Sequence, residues 1–435
     1  MITILILIVV AVLVFAAFAA GHWYAWRRVV RDTTARRSTL RRVGTAVFIA
    51  GPVLGLAAIR DDMPGIPFAF EGVIDWPGFM WLALFLYLVL ALAVGELLRP
   101  LLRWWLARRD TGTTEPAGQP GGKPAAGDLV AAVPPADPDQ ESVVAVAPQT
   151  DHEPDGPAAQ ALSRRVFVSR VVGGAAAAAA LGTVGYGTYG VMRGPQVKRL
   201  TVPLAKLPRT AHGFRIAVVS DIHLGPILGR RFTQRVVDTI NSTQPDLIAV
   251  VGDLVDGSVE DLASAVEPLT QLSARHGSYF VTGNHEYFNE PAEWIDKIRE
   301  LGLRPLENAR TELPGFDLAG VNDVQGEQSG QGPDFAKALG DRDRTRTAVL
   351  LAHQPVVIDD AVTHGVDLQL SGHTHGGQLW PGPLLAGLAN PTVAGLERYG
   401  DTQLYVSRGA GVWGPPVRVG APSDITVVEL ASAQA

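Results

Sequence analysis

Phe214-Arg215-Ile216-Ala217-Val218-Val219-Ser220-Asp221-Ile222-His223 is an apolar run that stops abruptly on a carboxylate and an imidazole. Its length and β-branched content read as a strand buried on both faces. The same arrangement recurs four times downstream. Residues 247–251 run into Gly252-Asp253-Leu254-Val255-Asp256-Gly257, and residues 279–282 into Gly283-Asn284-His285-Glu286. Residues 348–351 lead to His353, and residues 368–370 to Gly372-His373-Thr374-His375. Helical patterns lie between them. Residues 230–242 place Phe232, Val236, Val237 and Ile240 on one face, and Ser258-Val259-Glu260-Asp261 resembles a capping box opening a second helix. Strands alternating with helices predict an α/β domain over residues 196–435. Ligands in open α/β sheets collect at the carboxyl ends of strands, where these side chains stand.

An isolated Asp-x-His is common in loops and says little. Five such fragments in order, each behind an apolar run, form a specific constellation. Five of the ten histidines belong to it. The others receive no role: His22 at a membrane boundary, His152 in a linker, and His212, His276 and His364 in polar surroundings. Cysteine is absent, which excludes disulfides, thiolate metal sites, iron–sulfur clusters and cysteine nucleophiles. Oxygen and imidazole donors without thiolate suit Mn, Fe or Zn, and a shared carboxylate can hold two such ions about 3.5–4 Å apart. Such a pair suits in-line displacement at phosphorus, so a phosphate ester is the natural substrate.

Upstream the composition changes. Charged residues make up only 18% of the chain, below the roughly 25% of soluble proteins, which points to membrane segments. Residues 1–109 contain three apolar runs, at 2–20, 43–59 and 79–98; the second is weakened by Gly51, Pro52 and Gly55. No basic residue precedes the first run, so it reads as an anchor rather than a cleaved signal peptide. Arginines cluster after the first and third runs, whereas Asp61, Asp62, Glu71 and Asp75 follow the second. By the positive-inside rule the amino terminus is then outside. Residues 110–162, rich in Pro, Gly, Ala and acids, read as a disordered cytoplasmic linker. Residues 163–195 hold Ser163-Arg164-Arg165-Val166-Phe167-Val168 before a fourth, Ala- and Gly-rich span at 171–192. This resembles a twin-arginine export signal; the plainer reading is two topological anchors. Both predict a multi-pass cell-membrane protein with its catalytic domain on the extracytoplasmic side.

The downstream blocks resemble the calcineurin-like metallophosphoesterase superfamily, most closely its membrane-associated, YkuE/YaeI-like branch. The likeness rests on Gly283-Asn284-His285-Glu286-Tyr287-Phe288, Leu351-Ala352-His353-Gln354-Pro355 and Ser371-Gly372-His373-Thr374-His375-Gly376-Gly377-Gln378. Val406-Ser407-Arg408-Gly409 and Trp413-Gly414-Pro415-Pro416-Val417-Arg418 extend it. The resemblance implies a four-layer α/β sandwich of two mixed sheets. It implies one metal on Asp221, His223, Asp253 and His375, and a second on Asp253, Asn284, His353 and His373. His285 would face the phosphate as general acid or transition-state donor. Asp256 would orient His285, or else cap the helix at Ser258 or close the turn before Gly257. Some relatives hydrolyse UDP-2,3-diacylglucosamine, so the expected partners are a phosphorylated small molecule or lipid, and the membrane.

Other classes weigh less. A degenerate domain serving as a membrane scaffold should have lost ligands, and none is missing here. The formal charge of -6 argues against a nuclease. A transporter would need buried charge in the first three spans, and none is expected there. Residues 380–391 read as a segment that covers the site, as one that touches lipid, or as an ordinary surface loop. Oligomeric state leaves no signal.

Overall fold

A computed structural model of the chain describes residues 2–60, 67–110 and 157–433. Its first part is built of helices α1 (Ile2–Trp26), α2 (Thr39–Ala58), α3 (Phe68–Asp110) and α4 (Pro157–Met192). Among the described residues, four helical stretches are long and apolar enough to cross a membrane: Ile8–Arg31, Thr39–Ala58, Phe70–Trp105 and Val166–Met192. The glycines that interrupt the second apolar run are where α2 closes on α3. A Cβ at Gly51 would stand 2.1 Å from the Trp81 ring, so only glycine allows that approach.

Several details differ from the sequence reading. Helix α3 is much longer than the apolar run inside it and passes through Pro77 and Pro100; neighbouring helices make such prolines tolerable in membrane helices. Glu71 and Asp75 therefore lie in α3, not in a loop. Helix α4 begins at Pro157, so residues 157–162, expected in the linker, are helical, and 163–168 continue the same helix. The rest of that linker, His152 included, lies outside the described residues, as do Asp61 and Asp62. His22, expected at a membrane boundary, packs between the helices, stacked on Phe85 with centroids 3.6 Å apart and accepting a hydrogen bond from Trp81 Nε1 at 3.1 Å. The spans also bury charge. Glu96 Oε1 lies 2.9 Å from Arg28 Nε and 3.2 Å from Arg99 Nη1, and accepts from the Tyr24 hydroxyl at 2.6 Å. Mutual pairing is what makes these groups tolerable there.

The second part carries strands β1 (Gln196–Leu204), β2 (Phe214–Val219), β3 (Leu247–Val251), β4 (Ser278–Val281), β5 (Arg304–Pro305) and β6 (Ala309–Leu313). Then come β7 (Phe316–Gly320), β8 (Thr347–Leu351), β9 (Leu368–Ser371), β10 (Gly395–Tyr399), β11 (Thr402–Val406) and β12 (Asp424–Ser432). They form two six-stranded mixed sheets, ordered β1-β12-β2-β3-β4-β5 and β10-β11-β9-β8-β7-β6. Strands β2 to β5 are parallel, as are β7, β8, β9 and β11.

Period-2 alternation along each strand divides the core. Ile216 and Val218 of β2 point between the sheets, against Leu318, Val349 and Leu370, whereas Ala217 and Val219 point outward. On that outer side α5 (Arg230–Ser242) lays down Phe232, Val236, Val237 and Ile240, the face expected from its spacing. Helices α6 (Val259–Val266) and α8 (Pro291–Glu300) complete this side, with Trp294 of α8 fully buried, and the short α7 (Asn284–Phe288) follows directly on β4. Helices α9 (Phe335–Leu339) and α10 (Ile358–Thr363) cover the second sheet. The result is the expected four layers, helices–sheet–sheet–helices. Each fully buried Val, Leu, Ile or Phe side chain contributes about 1.5–3 kcal/mol. Residues 380–391 are not a simple loop, since they hold helix α11 (Gly382–Ala389).

The parallel strands bring their carboxyl ends to one edge. His373 N, after β9, donates to Asp221 Oδ1 after β2 at 2.9 Å, so the two sheets are joined at the point where the motifs end.

Candidate metal centre

Asp221, His223, Asp253, His373 and His375 all adopt left-handed backbone conformations, with φ between 48° and 73°. Non-glycine residues visit that region at a cost of order 1–3 kcal/mol each, and clusters of such strain occur at functional sites. The glycines between them allow the crowding. A Cβ on Gly283 would stand 2.2 Å from Asp253 Oδ1, and one on Gly372 would stand 1.8 Å from Ser220 Oγ. These glycines let four strand-end loops, after β2, β3, β4 and β9, pack closely in pairs.

The nine residues singled out from the sequence come together. Asp221, His223 and His375 present ligand atoms within 4.8 Å of one another, and so do Asp253, His353 and His373. Asp253 Oδ2 stands between the two groups, 3.0 Å from His353 Nε2 and 3.7 Å from His223 Nε2. Asn284 joins through its Oδ1, 3.0 Å from His373 Nδ1. Asp256 Oδ1 lies 2.7 Å from His285 Nδ1 and 2.8 Å from His223 Nδ1, spanning both rings. It does not cap α6, a role taken by the Ser258 hydroxyl, which accepts from Asp261 N.

Burial and charge oppose each other throughout. Burial raises the Asp253 carboxyl, but the positive charge of His353 and its hydrogen bond outweigh this and hold it ionised. Burial would lower His285; the hydrogen bond to Asp256 and the charges of Asp253 and Asp256 raise it to about 9. Asp256 is held down at about 2 by His223 and His285 against its own burial. His373 falls to about 4, from burial and the nearby His353 charge, and His375 falls well below its usual value through burial and His223.

These groups suit divalent cations. His223 Nε2 and His375 Nε2 face each other at 3.0 Å, a pairing of ring nitrogens that calls for something shared between them. His353 Nε2 is buried and turned toward Asp253 Oδ2, 3.0 Å away. Imidazoles and carboxylates without thiolate are the donor set for Mn, Fe or Zn.

Two supporting residues escaped the sequence reading. Glu286 is buried, and its carboxylate accepts from Gly283 N at 2.6 Å, Leu254 N at 2.7 Å and Asp253 N at 3.1 Å. Its place three residues after Gly283 is a capping-box spacing, a signal that was available. Arg418 stands in the Trp413–Arg418 block that carries the resemblance, which gave it no role. It is buried and donates to the carbonyls of His375, Arg408, Gly411 and Ala421, with Nη2 3.2 Å from His375 Nδ1.

A cavity of about 540 Å³ opens beside these groups. His285, Phe288, Trp413 and Pro415 form part of its wall, and Gly382 and Ala386 of α11 another.

Residues 214–377 match the family of calcineurin-like phosphoesterases. A Danio rerio transmembrane protein with a metallophosphoesterase domain is 40% identical, over 57% of this chain and 60% of its own. An uncharacterized metallophosphoesterase of Helicobacter pylori is 38% identical, over 58% of this chain and 68% of its own. YkuE, an uncharacterized metallophosphoesterase of Bacillus subtilis, is 30% identical, over 62% of this chain and 98% of its own. The chain belongs to the calcineurin-like metallophosphoesterases. That membership covers the two-sheet half, and the chain spans about three-fifths of the Danio rerio relative. This chain joins such a domain to helices apolar enough to cross a membrane, and the Danio rerio relative is likewise named a transmembrane protein with a metallophosphoesterase domain.

Proposed function

We propose that this chain is a membrane-tethered phosphoesterase, dependent on two divalent ions, that hydrolyses phosphate ester or pyrophosphate bonds. One observation carries the reading: Asp253 Oδ2 stands between two His/Asp groups while His285 lines the cavity beside them. Asp221, His223, Asp253 and His375 would hold one ion, and Asp253, Asn284, His353 and His373 the other. Such ions, when bound, polarise phosphoryl oxygens and make a bound water more acidic. The protein's own contribution is placement. Asp256 engages His285 Nδ1, leaving Nε2 for the substrate. As water adds to phosphorus and the P–O bond to the leaving group breaks, His285 gives its proton to the departing oxygen, and Asp256 steadies the ring. Asp256 is thus a positioning residue and His285 the catalytic one.

The substrate in this reading is a lipid-linked or envelope phosphate, with UDP-2,3-diacylglucosamine-type hydrolysis one instance, because the catalytic domain sits on membrane helices. Its side is extracytoplasmic, from the arginine distribution, and residues 163–168 act as a twin-arginine signal. The Asp253→Asn variant of the full chain tests the centre. It should lose most of its metal by elemental analysis, and hydrolysis of p-nitrophenyl phosphate and its bis ester should fall by about 10²–10⁴-fold. Two ions retained at full activity would refute the assignment.

A further inference from the structure

Helix α11 has no buried residue. Leu384, Leu385 and Leu388 are 70%, 69% and 84% exposed, a concentration of apolar surface that soluble domains avoid. Residues 378–396 carry no charged side chain. The helix is nevertheless two-sided. Gly382, Ala386 and Asn390, at i, i+4 and i+8, line the cavity, whereas the leucines, at i, i+1 and i+4, lie on the opposite face.

Contacts around α11 locate that outer face. Val417 is fully buried in a cluster with Ala83 and Tyr87 of α3 and Ala180 and Val184 of α4, and Leu379 and Val419 pack on the same cluster. Gly187 of α4 leaves no room for a side chain, since a Cβ there would stand 2.7 Å from Val417 Cγ1. All five helix positions fall within the stretches apolar enough to cross a membrane. Gly187 precedes the end of α4 at Met192 by five residues, about 7.5 Å along the axis. The loop from the catalytic domain thus meets the flanks of the helices rather than their tips. Trp380 N donates to Val419 O at 3.0 Å, tying the start of α11 to this embedded loop. Trp413, which lines the cavity, and Trp380, at the start of α11, are 58% and 53% exposed, as aromatics at a bilayer interface are.

We infer that α11 lies in the bilayer leaflet on the catalytic domain's side, with its leucine face in the acyl region and its Gly382–Ala386 face forming the cavity wall. This builds on the phosphoesterase reading and narrows its substrates to amphiphilic phosphoesters. Their chains stay in lipid while the headgroup passes laterally over α11 to His285.

The chain has no cysteine, so Leu385→Cys supplies a single labelling site. Full-length Leu385→Cys, carrying a nitrobenzoxadiazole dye in phosphatidylcholine nanodiscs, should emit blue-shifted light and be quenched by 5-doxyl phosphatidylcholine. The exposed Ser329→Cys control should do neither. Emission from Leu385→Cys matching that control would overturn the placement. Shielding from water without quenching by the doxyl lipid would overturn it too, because a second copy of the chain would then cover the helix. For the substrate, hexadecyl and methyl p-nitrophenyl phosphate share one reacting centre. Combined Leu384→Gln, Leu385→Gln and Leu388→Gln should slow hydrolysis of the hexadecyl ester in vesicles by roughly tenfold and leave the methyl ester unchanged. Equal rates for both esters would overturn the lateral route. If the unsubstituted protein, supplied with Mn or Zn, hydrolyses neither ester, the phosphoesterase reading fails, and the quenching result still decides where α11 lies.

Discussion

Arg418 shows how one buried side chain can govern a centre it does not belong to. Burial lowers its pKa to about 10, still leaving it charged at neutral pH. Its fork spends that charge on four carbonyls and on His375 Nδ1, which fixes the ring whose Nε2 faces His223. Lysine cannot replace a planar fork of this kind. Arg418→Gln should cost about 3 kcal/mol, because several buried carbonyls lose their donor. Thermal unfolding of the detergent-solubilised full chain measures that cost. Metal analysis should show the Asp221–His223–His375 side depleted before the other. An unshifted unfolding temperature with unchanged metal content would dismiss this role. Asp221 and His223 were legible because they end an apolar run, a feature of local sequence. Arg418 was not, because its partners are His375 after β9 and three separate points of its own β11–β12 loop, which only the folded chain brings together.

At the level of elements, the strand-end loops combine left-handed ligands with glycines that cannot carry a side chain. Gly372→Ala should destabilise by about 1–3 kcal/mol through forced overpacking and lower metal occupancy at the same time. Gly229→Ala is the control. It is the N-cap of α5 with nothing within 4 Å of an added Cβ, so Ala should cost at most about 1 kcal/mol through the weaker cap and leave metal occupancy unchanged. Parallel unfolding and metal measurements check the pair, and equal behaviour of the two variants would contradict the packing account. Strand and helix positions were readable from apolar periodicity, and β3 and α5 agree with the reading to the residue. Helix α11 was not. Gly382, Pro383 and Gly387 look like loop chemistry, and only its packing against the cavity gives it a helical face.

For the whole molecule, the proposed orientation puts the linker on one side of the membrane and the catalytic domain on the other. Cysteines introduced at Thr113 and Ser329 should differ in intact cells, with an impermeant thiol reagent reaching only Ser329. Equal labelling would reject the orientation. Changing Arg164 and Arg165 to Lys keeps both charges, so positive-inside anchoring survives, while a receptor that distinguishes guanidinium from ammonium should fail. The catalytic domain should then stay protected from external protease. Normal export of that variant would make the arginines mere anchors.

The sequence by itself determined the two-part architecture, the positions of the motif-bearing strands and which nine residues meet at one edge. Each of these is written locally, in apolar runs and in what directly follows them. Tertiary structure decided what no local pattern encodes. It set Asp253 between two ligand groups and gave Asp256 two histidines to hold. It paired Glu96 with Arg28 and Arg99 inside the helical bundle, and it seated the loop carrying Val417 and Arg418 against α3 and α4. Those contacts join residues far apart in the chain, so their energies exist only once both sheets and the helices have closed together.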